Sequence, residues 1–276
     1  MEFVTSQDGT RIAYDRYGSG PAVILVGGAL SQRKFKKIGQ LGELLAEQGF
    51  TVINYDRRGR GDSGNTEPFT LQREVEDIEA LIDAVGGSAS LWGWSSGGAL
   101  ALRAAAAGIG VERVAVYESP FMVDPDEHLP APDYIERVEA AVAAGRRAEA
   151  VRLFMRDAIG VPAPFVVLMR LMPMWKDLKA VAHTLPYDWA ALGAHNMRGE
   201  PLDPEEWAGV TVPALIAYGS KSPGNLSKGN EAIAEALPNA ELVVLQGQTH
   251  NVSMEVLAPV LADFLAVPSP RALAHG

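Results

Sequence analysis

Short runs of apolar and β-branched residues alternate along this chain with longer segments whose apolar residues recur at helical spacing. The runs that predict buried strands are residues 22–26, 51–55, 89–91, 114–117, 214–218 and 242–245. The segments that predict helices are residues 35–48, 71–85, 99–107, 231–237 and 256–264. Strands that alternate with helices imply parallel crossovers. The predicted fold class is therefore α/β, a mostly parallel sheet flanked by helices.

Two segments depart from this alternation. Residues 11–17 alternate between polar and apolar after an Asp8-Gly9 turn, which predicts a hairpin near the N-terminus. Residues 121–209 contain no clear buried strand and are rich in proline, methionine and tryptophan, which indicates a helical insertion between two sheet strands. The domains that we predict are a core of residues 1–120 and 210–267, the insertion 121–209, and a frayed tail 268–276.

Composition narrows the classes of function. The chain has 276 residues, a formal net charge of −10 and no cysteine. An acidic surface argues against nucleic acid and anionic membranes as partners, and the lack of thiols excludes a cysteine nucleophile and a cysteine-ligated metal. No signal-peptide pattern or apolar run long enough to span a membrane is present in the sequence. We therefore expect a cytoplasmic protein that acts on a small molecule.

The strongest motif follows the run at 89–91. It reads Gly93-Trp94-Ser95-Ser96-Gly97 and leads directly into an alanine-rich helical segment. A serine at such a strand–helix turn adopts a strained backbone conformation that exposes its hydroxyl above the sheet edge. The flanking glycines allow the strand and helix to approach without a Cβ clash. Ser95 is the predicted nucleophile; the alternative is a glycine-rich turn that only packs.

A serine nucleophile needs a base to take its proton. Four of the five histidines lie in the insertion or the tail, whereas His250 follows the last predicted strand. The carboxyl ends of parallel strands meet at one edge of the sheet, where such folds place their ligands. We therefore predict His250 as the general base; otherwise it is a loop histidine without a role.

The acid that orients the histidine is absent from the loop where it most commonly lies. Residues 219–225, after the run at 214–218, contain neither Asp nor Glu. Glu118 follows the run at 114–117 and keeps the acid between serine and base in chain order. Glu118 is the predicted acid, with Asp124 and Asp126 as rivals; the alternative for Glu118 is a structural pairing with an arginine or a backbone N–H.

Backbone N–H groups must stabilise the oxyanion of the tetrahedral intermediate. One donor should be Ser96, directly after the nucleophile. The other should come from the loop after residues 22–26, where Ala29 is favoured and Gly28 is the alternate.

Residues 56–64 form an arginine-rich turn after the run at 51–55. A phosphate site is one interpretation. The favoured one has these arginines facing solvent or paired with Asp56 and Asp62. Neither glycine-rich region has the spacing of a phosphate-binding loop, and no His/Asp/Glu cluster indicates a metal, so we expect no cofactor.

Through these motifs the chain resembles the α/β-hydrolase superfamily over residues 4–265. The matching stretches are 55–63, 93–98 and 247–250. The resemblance implies that the insertion is a cap domain. Two departures are Gly27-Gly28, where the family often has His-Gly, and Ser222 in the loop that usually holds the acid.

Haloalkane dehalogenases resemble this chain in placing the acid after the preceding strand, but their nucleophile is aspartate. Zearalenone-type lactonases are similar in pairing serine and histidine with a glutamate at the position of Glu118. The resemblance therefore implies hydrolysis of a carboxylic ester or lactone. Trp94, Trp175 and Met172 are candidates for an apolar substrate pocket, although cap residues of this type also form core.

Two alternatives to hydrolysis remain open. The same triad could transfer the acyl group to another acceptor or form a peracid. The chain could also be a ligand-binding protein on a hydrolase scaffold. The absence of an acidic residue from the loop 219–225 keeps this interpretation open.

Overall fold

Eight strands form one sheet in the computed structural model, which describes residues 1–266. The strands are β1 Glu2–Thr5, β2 Arg11–Tyr17, β3 Ala22–Val26, β4 Thr51–Tyr55, β5 Ala89–Trp94, β6 Val111–Tyr117, β7 Ala214–Gly219 and β8 Ala240–Leu245. Their order is β1-β2-β4-β3-β5-β6-β7-β8. β2 pairs antiparallel with β1 and β4, and the other neighbours are parallel. The predicted α/β class and N-terminal hairpin are confirmed, while the predicted tail, 268–276, lies outside the described residues.

Helices cover both faces of the sheet. The helices outside the segment between β6 and β7 are α1 Lys36–Glu47, α2 Leu71–Ala84, α3 Ser96–Ala106, α10 Gly224–Ala236 and α11 Met254–Ala266. Side chains of a strand alternate between faces. Leu91 of β5 accordingly packs in the cluster with α2, α3 and α10, whereas Trp92 and Trp94 pack in the cluster with α1 and α11. The sheet thus has an apolar core on each side.

The segment between β6 and β7 is helical. Its helices are α4 Tyr134–Ala143, α5 Arg147–Leu153, α6 Ala163–Met169, α7 Met174–Val181, α8 Leu185–Leu192 and α9 Pro204–Trp207. We call residues 121–209 the cap segment; its role as a separate domain stays a prediction. Buried residues of α8 share one apolar cluster with α3, so this part of the cap segment lies directly against the core. No helix within residues 1–266 is long and apolar enough to cross a membrane.

Helix α10 begins earlier than its predicted start at residue 231. Its first turns are polar and include Gly229, so the sequence shows no apolar helical pattern there. A Cβ at Gly229 would lie 2.0 Å from the carbonyl oxygen of Phe121, and Asn230 Nδ2 donates to Ser119 O at 3.1 Å. Close packing against the chain after β6 therefore defines this end of the helix.

Candidate active site

Backbone strain is concentrated at three neighbouring strand ends. Within residues 1–266, the non-glycine residues with positive φ are Leu30 (58°), Ser95 (57°) and Glu118 (50°). They follow β3, β5 and β6, which are adjacent in the sheet. Such conformations cost about 1–3 kcal/mol each and occur preferentially at functional sites. The nucleophile and acid predicted from the sequence both have this geometry.

Ser95 lies at the turn between β5 and α3, and the glycines around it are required by packing. A Cβ at Gly93 would lie 2.4 Å from the Cα of Gly98, and one at Gly97 would lie 2.2 Å from the carbonyl oxygen of Val26. These contacts leave no space for a side chain. The glycines therefore let the strand and helix approach closely enough to form the sharp turn at Ser95.

Glu118 is fully buried, and both of its carboxylate oxygens are engaged. Oε1 accepts a hydrogen bond from the Gly219 N–H at 2.7 Å and another from the Ser222 hydroxyl. Oε2 lies 2.9 Å from Nδ1 of His250. A carboxylate only accepts, so Nδ1 carries the proton and Nε2 is free to act as a base. The structure thus brings two of the three predicted triad residues into direct contact.

The loop that carries His250 is held against the strand ends next to Ser95. The Tyr117 hydroxyl donates to Thr249 O at 2.8 Å, and Tyr117 O accepts from the Ser95 N–H at 2.9 Å. Burial and the adjacent Glu118 raise the pKa of Tyr117, so it stays a hydrogen-bond donor. The His250 ring is tilted at 45° to the Trp94 ring, with centroids 6.0 Å apart. Tyr117 therefore links the segments that carry Ser95, Glu118 and His250.

The loop after β3 lies against the nucleophile. A Cβ at Gly28 would lie 2.8 Å from the Cβ of Ser95, which explains why a side chain is excluded there. Ser96 is the first residue of α3, so its N–H has no acceptor within the helix. The Ala29 N–H donates to no protein acceptor within the described chain. Two unpaired N–H groups are therefore available near Ser95, as an oxyanion hole requires.

The arginine-rich turn differs from its favoured interpretation. Its arginines are buried and do not face solvent. Asp56 and Asp62, the partners expected for them, instead form ion pairs with Arg33. The ion pairs of the turn itself are Arg57 with Glu74 and Asp188, Arg58 with Asp8 and Asp77, and Arg60 with Asp188. Helices α2 and α8 supply most of these carboxylates, a tertiary arrangement that the spacing within the turn does not reveal.

Of the two rival acids, one has another partner and the other is exposed. Asp124 forms an ion pair with Lys228 at 2.5 Å, and the hydrogen bond from Lys228 lowers the pKa of Asp124. Asp126 is exposed. Within residues 1–266, no group of three or more acidic, histidine or cysteine side chains is arranged to hold a metal ion.

The three candidate pocket residues lie in different environments. Trp94 is 7% exposed and its ring is tilted against that of His250, and it directly precedes the candidate nucleophile Ser95. Trp175 is 6% exposed and packs in the apolar cluster that the cap segment shares with one face of the sheet, whereas Met172 is 47% exposed. Of the three, only Trp94 has a described contact with a candidate triad residue, and the pocket roles of all three stay predictions.

Sequence reasoning missed Ser222 and Asp188. Ser222 occupies the loop where the acid was sought, and it donates to the acid that lies elsewhere. Asp188 is a fully buried carboxylate on α8 that contacts Ser96. Its only sequence signal is an acidic residue in the otherwise apolar helix Leu185–Leu192.

Comparison with known proteins agrees with the fold. The model of the alpha/beta hydrolase family matches residues 22–262. The structure of an alpha/beta hydrolase from Sphaerobacter thermophilus is 45% identical, with a TM-score of 0.83 over 95% of this chain and 99% of that one. A thermophilic esterase from Thermogutta terrifontis is 20% identical, with a TM-score of 0.66 over 96% and 97% of the two chains. A Mycobacterium tuberculosis protein named as a non-heme bromoperoxidase is 35% identical over 74 residues, which span 27% of this chain and 28% of that protein.

Proposed function

Since this chain belongs to the alpha/beta hydrolase family, we propose that it is a cofactor-free serine hydrolase of a carboxylic ester or lactone. The observation that carries the proposal is the contact between His250 and the buried carboxylate of Glu118, at the sheet edge where the strained Ser95 also lies. A structural glutamate would not need its second oxygen directed at an imidazole nitrogen. The combination is the one that activates a serine hydroxyl.

In the first half of the reaction, Ser95 Oγ attacks the substrate carbonyl while Nε2 of His250 takes the hydroxyl proton. Glu118 holds Nδ1–H and stabilises the imidazolium that forms. The carbonyl oxygen becomes an oxyanion that accepts hydrogen bonds from the N–H groups of Ser96 and Ala29, with Gly28 as the alternate donor. The C–O bond then breaks, the alkoxide takes the proton from Nε2, and Ser95 is left as an acyl ester.

The second half repeats these steps with water as the nucleophile. His250 removes a proton from water, the hydroxide adds to the acyl carbon, and the oxyanion is stabilised by the same donors. Collapse of this intermediate returns the proton to Ser95 Oγ and releases the carboxylic acid. A lactone gives the same sequence, but its hydroxyl and acid remain in one molecule.

The substrate class that we propose has an apolar acyl or leaving group. Trp94 lies beside His250, and the cap segment contributes the candidates Trp175 and Met172. Aromatic and methionine side chains form adaptable apolar pockets.

A second candidate is peracid formation on the same acyl-enzyme. Hydrogen peroxide would replace water, add to the acyl carbon and leave as the peracid, returning Ser95 to its hydroxyl form. The similarity to a protein named as a bromoperoxidase favours testing this activity. Product analysis with an ester substrate, with and without peroxide, separates the two reactions.

The direct test of the nucleophile is labelling with a fluorophosphonate probe, followed by mass mapping of the adduct. Wild type should be labelled at Ser95, Ser95→Ala should not be labelled, and His250→Ala should react at least about 100-fold more slowly because it lacks the base. Absence of labelling in a folded wild-type sample would refute the proposal and favour a ligand-binding protein.

A further inference from the structure

The buried Arg60 joins the loop after β3 to the cap segment. We call this loop, which carries Gly28 and Ala29, the oxyanion loop. Arg60 Nη1 donates to Gly28 O at 2.6 Å. Its other nitrogens bind the cap segment: Nη2 lies 2.9 Å from Asp188 Oδ2, and Nε donates to Thr184 Oγ1 at 2.9 Å. Arg60, Asp188 and Thr184 are each at most 1% exposed. The planar guanidinium therefore fixes one carbonyl of the loop relative to two residues of the cap segment.

Asp188 is the centre of this network. Besides Arg60, it accepts hydrogen bonds from Arg57 Nη1 at 2.6 Å and from the Ser96 hydroxyl at 2.9 Å. Burial would raise the pKa of Asp188, but the charges of Arg60 and Arg57 outweigh it and hold that pKa below its ordinary value. One ionised carboxylate thus contacts the residue after the nucleophile and both arginines. Arg57 in turn donates to Gly27 O at 3.2 Å.

The Gly28 carbonyl is held from two sides. It accepts from Arg60 and also from Ser31, through the Ser31 hydroxyl at 2.6 Å and the Ser31 N–H at 3.2 Å. In a planar trans peptide, the C=O of one residue and the N–H of the next point in opposite directions. Fixing the Gly28 carbonyl therefore fixes the direction of the Ala29 N–H, which is the candidate oxyanion donor.

We propose that Arg60, held by Asp188, is a positioning residue that orients the Gly28–Ala29 peptide for oxyanion stabilisation. The inference rests on the proposed hydrolase function and goes beyond it, because it makes the oxyanion hole depend on the cap segment. Displacement of α8 from the core would remove Asp188 and Thr184 from Arg60 and leave Ser31 as the remaining firm support of the Gly28 carbonyl. Catalysis would thus require α8 to be packed against the core.

A purely structural arginine would have a different kinetic signature. Loss of oxyanion orientation lowers kcat with little change in KM, because the oxyanion forms only after the substrate has bound. Loss of fold or of pocket shape lowers the active fraction or raises KM instead.

The test is Arg60→Lys, with Arg103→Lys as the matched control. Lysine retains the charge beside Asp188 but cannot reproduce the planar arrangement of donors. Arg103 also bridges core and cap segment, donating to Ala191 O at 3.1 Å and pairing with Glu206, but it has no contact with the oxyanion loop. For a p-nitrophenyl ester, we expect Arg60→Lys to lower kcat about 10- to 100-fold with KM within about threefold, and Arg103→Lys to leave both unchanged.

A second variant guards against a folding defect in Arg60→Lys. Thr184→Val removes the acceptor for Arg60 Nε without changing charge and with little change in volume. It should lower kcat at least about threefold at constant KM, with the folded state verified by circular dichroism and Tm. If Arg60→Lys does not fold, Thr184→Val decides alone. Unchanged kcat in every variant that folds overturns the inference, as does an equal loss in Arg103→Lys.

The rate of fluorophosphonate labelling separates this inference from the proposed function. Phosphonylation of Ser95 also develops negative charge on an oxygen, so it should slow in parallel with kcat in Arg60→Lys. If wild type is labelled but hydrolyses no ester or lactone, the proposed function fails while slower labelling still supports the positioning role. Labelling that is equally fast in wild type and Arg60→Lys refutes the positioning role, and an unlabelled wild type refutes both.

Discussion

Replacing Glu118 with glutamine changes one atom of the proposed triad and leaves its volume nearly constant. The two oxygens of Glu118 have different partners: Oε1 receives donors from Gly219 and Ser222, and Oε2 faces His250 Nδ1. In Glu118→Gln, the amide oxygen should remain at the Oε1 position, because the Gly219 N–H can only donate. The amide NH2 then faces Nδ1, which must become an acceptor. The proton moves to Nε2, where it prevents His250 from accepting the Ser95 proton.

The size of the effect follows from two terms. Restoring the productive tautomer places two N–H donors against each other in a buried contact, which costs about 1–3 kcal/mol. The imidazolium also loses its carboxylate partner, worth about 4 kcal/mol at 4 Å in an effective dielectric of about 20. Because His250 is 40% exposed, solvent screens part of this attraction, and about 2 kcal/mol of it remains. The sum of about 4 kcal/mol corresponds to a fall in kcat of about 10³-fold.

The assay is steady-state hydrolysis of a p-nitrophenyl ester, with Tm as the measure of folding. The matched control is Glu231→Gln, because Glu231 accepts a hydrogen bond from Tyr218 at 2.6 Å but contacts no triad residue. We expect unchanged kcat for the control and a Tm within a few degrees of wild type for both variants. A kcat for Glu118→Gln within about tenfold of wild type would refute the tautomer argument and the role of Glu118 as the acid.

Three further predictions concern stability. Gly97→Ala would place a Cβ 2.2 Å from Val26 O and should lower the free energy of unfolding in urea by at least about 1–3 kcal/mol. Asp188→Asn removes an anionic partner from two buried guanidinium groups and should lower the free energy of unfolding by about 3–5 kcal/mol. The control Glu149→Gln, at an exposed ion pair, should lower it by less than about 1 kcal/mol. Equal losses in the two variants would contradict the stabilising role of the buried network. Burial and nearby arginine charges lower the pKa of His183 from 6.5, so its contribution to stability is complete above pH 6.5 and is lost as the pH falls through the lower folded-state pKa. His183→Gln should therefore flatten the dependence of the urea midpoint on pH between about 8 and 5, and an unchanged slope would contradict this.

The sequence was sufficient to predict those parts of the site that depend on one strand end each. A sharp strand–helix turn with a serine at its tip requires glycines at fixed offsets from that serine, so Gly93 and Gly97 made Ser95 the candidate nucleophile. Glu118 became the candidate acid because strand ends converge at one edge of the sheet and the loop after β7 contains no acidic residue. Glu118 and His250, which are 132 positions apart, are in contact as this reasoning predicts, while their catalytic roles stay predictions.

The parts that could not be predicted are those in which a buried charge finds its partner through the packing of the cap segment. Arg60 and Asp188 are 128 residues apart, and nothing in the arginine-rich turn indicates which helix will cover it. Asp188 also interrupts the otherwise apolar pattern of α8, and that interruption by itself does not indicate a partner. Burying a charge is costly unless it is paired and hydrogen-bonded, so a carboxylate in an apolar helix implies a cationic partner from elsewhere in the fold. Combined with arginines that have too few local carboxylates, that rule would have favoured a cap-to-core ion pair, though not its contact with the Gly28 carbonyl. That contact depends on the direction of one peptide plane, and only the three-dimensional arrangement of α8 over the nucleophile turn determines it.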